Sequence, residues 1–524
     1  MILATLLALA AQDPLAVRPD SVHPRHDALH YGVALRLPET GTTIAAVVAI
    51  QWRLSSSEPI RVDLDTAFTI QAVSLEGAQA EWSRQGLQLY IEHQRTPGDT
   101  AVLVISYSGS PADGLVIRDG PTGRTYFADN WPDRARKWLA SQDHPADKAT
   151  VAWRVTAPLG LTVVANGTRT AVDTTEYGAR WSFEMPEPTP VHTMVVGAAR
   201  LAVTELAPAT CAVRCVPVSV LAYPADSAWA VEGPFRRASE MVDFFSETFG
   251  PFPYGELRHV ETSTIFGGME NSTAIFYDER GWSAHRLSES TVAHETAHQW
   301  FGDAVSQSDW HHLWLSEGFA SYSGALWAEH TRGAGGLRET MQQAAQRIRQ
   351  SPVRDRPIID PDESRLMSLL NANNYQKGSW LLHSLRGLVG DTAFFGGIRA
   401  YYAAHRHGNA LSREFATIME KASGTSLDWY FRQALTQPGY PILDVTSRPV
   451  EGGLEVRLIQ VQEAAWGSFR IPGLQIRING ALHQVDLDSR DVTRVLPVDR
   501  ADRATLEVDP FGWWLLDVRI AGGR

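Results

Sequence analysis

The chain has 524 residues, 20% of them charged and 44% hydrophobic, with a formal net charge of −12. That length exceeds what one hydrophobic core serves, so several domains are expected, and the composition excludes wholesale disorder. No basic run appears, which argues against a nucleic-acid partner, and no internal stretch approaches the apolar length of a membrane-spanning helix.

Residues 1–11 form a short apolar run with small residues at Ala8 and Ala10. It reads as a signal segment for export to the periplasm or the exterior; a cytoplasmic protein with an apolar tail is the alternative. Residues 12–222 read as a β-rich domain. Its strand-like stretches include Ile44–Leu54, Leu87–Ile91, Ala101–Tyr107, Val151–Val164 and Val191–Val203, with Gly and Pro between them. Cys211 and Cys215 are close enough in sequence for a tight disulfide and could equally stay reduced. From Ser227 to Phe249 the apolar spacing turns helical and stops at Gly250-Pro251; helical periodicity then dominates residues 287–435. These define a second domain, 223–437. After Gln437-Pro438-Gly439 the chain returns to short strands, such as Leu454–Leu458, Leu474–Ile478 and Thr493–Leu496. Residues 438–524 therefore read as a small β-sandwich. The predicted fold class is multidomain α+β.

Chemistry concentrates in His294-Glu295-Thr296-Ala297-His298. On a helix, residues four apart share one face about 6 Å along the axis, so both imidazoles can meet one zinc ion. Glu295 is turned by about 100° and faces the attacking water instead of the metal. A hydrolytic zinc site takes a third protein ligand, commonly a carboxylate. Glu317 lies 19 residues after His298, with turn residues between, so two helices can bring it beside the histidines. The predicted cofactor is one Zn2+ per chain, held by His294, His298 and Glu317, with Glu295 as general base for amide hydrolysis. His144, His311, His312 and His383 are weak candidates for metal ligands: His144 reads as structural, His311 and His312 as groups behind the ligands or on the surface, and His383 lies in the helical run after Tyr375. The triad alone does not separate an exopeptidase from an endopeptidase of the thermolysin type. A catalytically inactive scaffold that only binds partners is the third reading.

The segment Phe266-Gly267-Gly268-Met269-Glu270-Asn271, the zinc motif and the downstream Glu317 together resemble the aminopeptidase N family of zinc metallopeptidases, which includes the leukotriene hydrolases. The likeness runs over nearly the whole mature chain, through Trp131-Pro132, Asp143 to Lys148, Pro188 to Gly197 and Tyr375 to Gly378. It implies a saddle-like N-terminal β domain and a thermolysin-like catalytic domain. It also implies release of the first residue from peptides with a free N-terminus. Glu270 then binds the substrate ammonium through a charge-assisted bond. Gly267 and Gly268 clear the backbone for an extended peptide, and Met269 and Asn271 complete the substrate-binding segment. Tyr375 donates to the tetrahedral oxyanion. Three positions depart from the family pattern. Trp131 stands where an amine-holding Gln or Glu is usual, so either Glu270 and Glu317 hold the amine or the adjacent Asn130 substitutes. Ser316 precedes the third ligand in place of Asn, and Asp303 replaces a common Asn. The sequence ends after the sandwich, so the long helical C-terminal domain of many relatives is not expected here.

Overall fold

The structure is a computed structural model that describes residues 13–19, 24–120, 122–209 and 214–521. Residues 1–11, read as a signal, and Cys211 of the possible disulfide lie outside the described residues; Cys215 is exposed.

The N-terminal part is built on an eight-stranded sheet. Its central strand pair, Asp27–Arg36 and Ile44–Arg53, is antiparallel, and Asp27–Arg36 also pairs in parallel with Lys148–Ala157. Along Ile44–Arg53 the side chains of Ile44, Ala46, Val48, Ile50 and Trp52 are buried and their neighbours are not. This period of two lays one apolar face on the core. The strand expected over Val151–Val164 is two strands, Lys148–Ala157 and Thr162–Ala165, in different sheets. A turn with Gly160 at φ 81° separates them.

Nine helices follow among the described residues: α1 Ser227–Glu232, α2 Ala238–Phe249, α3 Glu279–Ser283, α4 Glu289–His298, α5 Trp314–Gln350, α6 Gly378–Val389, α7 Asp391–His405, α8 Ser412–Ser423 and α9 Asp428–Thr436. The single helix expected from Ser227 to Phe249 is broken into α1 and α2. Gly233-Pro234 lies at the break, and proline cannot supply the N–H that a continuous helix requires.

A five-stranded sheet in the order Ala202–Glu205, Val218–Ala222, Leu257–Thr262, Ala274–Asp278, Gly268–Met269 supports these helices. The domain boundary expected at 222/223 therefore does not divide the pairing. Two strands before it hydrogen-bond into the sheet that carries the Gly-Gly-Met-Glu segment. A continuous hydrophobic core runs from Leu15 through the helical region, and a separate smaller one, including Leu443, Leu458, Leu474 and Ile476, fills the C-terminal sandwich. That sandwich packs a four-stranded sheet against a three-stranded one. Among the described residues no helix is long and apolar enough to cross a membrane.

Candidate metal centre and cleft

The helix α4 begins at Ser288, whose Oγ accepts from the Thr291 N–H at 3.1 Å, a cap of about 1 kcal/mol. One turn separates its two histidines, and their Nε2 atoms stand 3.1 Å apart. From α5, Glu317 brings Oε2 to 3.3 Å from each of these nitrogens. Glu317 Oε2 is buried and accepts no well-formed hydrogen bond. Three lone-pair donors converging on one another in a buried site fit a bound cation, and two imidazoles with one carboxylate fit zinc.

The surrounding charge makes the same demand. Burial alone would depress His298, yet Glu270, Glu317 and Glu295 overcome it and push the ring up to about 10. Burial works against the Glu317 carboxylate, but His298 and His294 hold it below the usual range. The pocket is built around a positive charge.

The ligand rings are oriented from behind. The Phe301 carbonyl can only accept, so His298 Nδ1 carries the proton and donates to it at 3.0 Å, leaving Nε2 free to bind metal. Ser316, the residue that departs from the family pattern, places Oγ 3.1 Å from the same Nδ1. Gly302, at φ 127°, lies against this pair; a Cβ there would come within 2.6 Å of Ser316 Oγ and 2.9 Å of His298 Nδ1.

Tyr375 sits on a π-helical turn, Asn373–Lys377, and donates from Oη to Glu317 Oε1 at 2.8 Å. Its ring stacks on His294 with centroids 6.0 Å apart and planes 4° apart. The turn comes this near because Gly318 and Gly378 meet backbone to backbone. A Cβ on either would lie 3.0 Å from the other's Cα. Burial, with the Glu317 carboxylate beside it, pushes the phenol well above its ordinary range, so it stays a donor.

Glu270 follows the edge strand Gly268–Met269, and one donor atom from each of Glu270, Glu295 and His298 lies within 4.8 Å of the others. A residue missed in the sequence holds this arrangement. Gln299, next after the second histidine, donates to the Glu270 carbonyl at 3.0 Å and to Asp303 Oδ2 at 2.8 Å, and accepts from the Thr273 N–H at 2.9 Å. The available signal was its place one step beyond the motif. Asp303, the other departure, is thus a buried acceptor for Gln299.

The two glycines prove unequal. A Cβ on Gly267 would meet nothing within 4 Å, consistent with open space for a peptide. On Gly268 it would lie 2.2 Å from Glu295 Oε1. The missing side chain at 268 makes room for the Glu295 carboxylate. Gly268→Ala is therefore expected to displace Glu295 and lower kcat by about 10², with Gly267→Ala the milder change when turnover of the two variants is compared.

Two expectations need correction. Asn271 is fully buried and does not line the cleft. Asn130 cannot hold a substrate amine. Its side-chain amide donates to the Met194 carbonyl at 2.6 Å and accepts from Trp138 Nε1 at 2.8 Å, all inside the core. Trp131 does reach the cleft, edge-on to Phe266 and Trp310, at 6.0 and 5.4 Å between centroids. Met269 lines the same wall. His312 and His383 bond elsewhere, to Ser412 and Val17 and to Tyr322 and Gly512. His311 is paired with Asp309 at 2.9 Å.

Residues 234–433 match the peptidase family M1 domain. Over this region the chain is similar to peptidase family M1. It is 26% identical over 84% of its length to a probable aminopeptidase 2 of Sulfurisphaera tokodaii, and 28% identical over 72% to an aminopeptidase N of Streptomyces lividans. It spans 58% and 45% of those two relatives. The crystal structure of an M1 zinc metallopeptidase from Deinococcus radiodurans superposes with a TM-score of 0.70 at 25% identity, covering 79% of this chain and 94% of that one. Both the metal-site motif and the Gly-Gly-Met-Glu-Asn segment fall inside the matched region.

Proposed function

We propose that this chain is a zinc aminopeptidase that hydrolyses the first peptide bond of peptides with a free N-terminus. The observation that carries this reading is the Glu270 carboxylate, buried within 4.8 Å of donor atoms of His298 and Glu295. A buried carboxylate so close to the hydrolytic centre disfavours an uncharged peptide interior and suits an ammonium. With the ammonium held there, only the first peptide bond reaches the reacting centre.

His294, His298 and Glu317 would hold one zinc ion, which supplies Lewis acidity toward water and the scissile carbonyl. Glu295 takes the proton from the attacking water and passes it to the leaving amine. Tyr375 turns its hydroxyl from Glu317 Oε1 to the developing oxyanion. The edge strand Gly268–Met269 pairs on one side with Ala274–Asp278, leaving its outer side for an extended substrate. Trp131, Phe266 and Met269 wall the cleft and set the preferred N-terminal residue.

The test is a panel of aminoacyl anilides, assayed with zinc and after chelation, beside the N-acetylated forms. Zinc-dependent release from the free amines alone supports the reading. Equal cleavage of the acetylated forms transfers the chain to the endopeptidase class, and no turnover at any zinc level leaves the inactive scaffold. Glu270→Ala is expected to raise KM for free-amine substrates by about tenfold to a hundredfold, the loss of one charge-assisted hydrogen bond. An unchanged KM would remove Glu270 as the anchor.

A further inference from the structure

The helix α5 is bent at Gly333, whose φ of 69° and ψ of −169° lie outside the helical region. The bend is tight: a Cβ on Gly336 would lie 2.4 Å from the Ala328 carbonyl oxygen. The two arms therefore fold onto one another, and both line the cleft. Glu317, Ser321 and Gly324 come from the first arm; Thr340, Ala344 and Arg347 come from the second. Glu317 is 16 residues before Gly333 and Arg347 is 14 residues after it. At about 1.5 Å per residue the two stand at nearly equal distances from the bend.

The charges of this cleft are divided. Glu270, Glu295 and Glu317 cluster at the metal centre, and Arg347 is the one Arg or Lys among the described lining residues. Arg347 is exposed and has neither an ion pair nor a hydrogen bond to any described residue. Its neighbours differ: Arg349 bonds to Asp517 at 2.7 Å, and Arg332 bonds to Glu339 at 2.7 Å. In a chain of net charge −12, a cation in a cleft of about 440 Å³ without an acidic partner calls for an anionic ligand.

We infer that Arg347 binds the C-terminal carboxylate of short peptide substrates, so that the cleft reads a peptide by both of its charged ends. This rests on the aminopeptidase reading, which places the ammonium at Glu270. A free oligopeptide is a zwitterion whose ends match the two poles of the cleft. The guanidinium fork suits a carboxylate through two parallel hydrogen bonds. An extended peptide grows by about 3.3–3.6 Å per residue, so the match selects a narrow range of lengths. The substrate class is thus small peptides with both ends free, ahead of long or C-terminally blocked chains.

The experiment compares kcat and KM for alanine-based peptides of two to five residues as free acids and as C-terminal amides. For the wild-type zinc enzyme the acid is expected to lead the amide by tenfold or more at one favoured length, with the difference in KM. Arg347→Gln should bring that ratio to about 1, and Arg347→Glu should put the amide ahead. A wild-type ratio near 1 at every length overturns the proposal, and so does a ratio that survives in both variants. Failure of the parent reading looks different: the wild-type enzyme then releases nothing from an aminoacyl anilide, which has no C-terminal carboxylate.

Discussion

Glu295→Gln is expected to retain zinc at the wild-type stoichiometry and to lose between about 10² and 10⁴ in kcat, the range of general acid–base catalysis. The substitution keeps shape and volume. The packing of this side chain against Gly268 therefore survives, and the three ligand side chains, two of them on the histidine face of α4, are untouched. What is lost is the capacity to take a proton. Burial, then the charges of Glu270 and Glu317, push the Glu295 carboxyl well above the usual carboxylate range, against the pull of His298. An upward-shifted carboxylate is a stronger base toward water, and an amide has no basicity to shift. Metal analysis of the purified variant, followed by anilide turnover, checks both halves. Retained turnover with bound zinc would exclude the general-base role.

How far a residue's role is legible in the sequence depends on the range of the interactions that set it. His294 and His298 were legible because their convergence is a local consequence of helical repeat. Glu317 required only that a second helix return, and it does. The contact that Gly268 makes room for, with Glu295, lies far along the chain, and no local pattern contains it. Asn130 was misread for the same cause, since its partners at Met194 and Trp138 are set by the fold. The helix break at Gly233-Pro234 was written in the residues and overridden by apolar spacing on either side. At 222/223 the composition changes while strand pairing continues across it, and pairing between distant strands is not written in composition. The arm carrying Arg347 was invisible as a cleft wall. Helical periodicity places it on a helix, but the bend at Gly333 decides what that helix faces.

Tyr375→Phe is expected to cost about 10²–10³ in kcat, the usual loss on removing one oxyanion donor, with zinc content and KM close to wild type. The ring keeps its place without the hydroxyl. It is stacked on His294, and its turn is fixed by the close approach of Gly318 and Gly378. Only the bond from Oη to Glu317 Oε1 is lost from the resting site. Glu317 would then have one acceptor more than donors, while its other oxygen still faces the two histidines. A role confined to orienting Glu317 predicts weakened metal retention with kcat restored by excess zinc. A donor that acts on the oxyanion predicts low kcat at every zinc concentration. Titrating zinc into the metal-free variant while following anilide turnover separates the two, because saturation restores activity in the first case and leaves it depressed in the second.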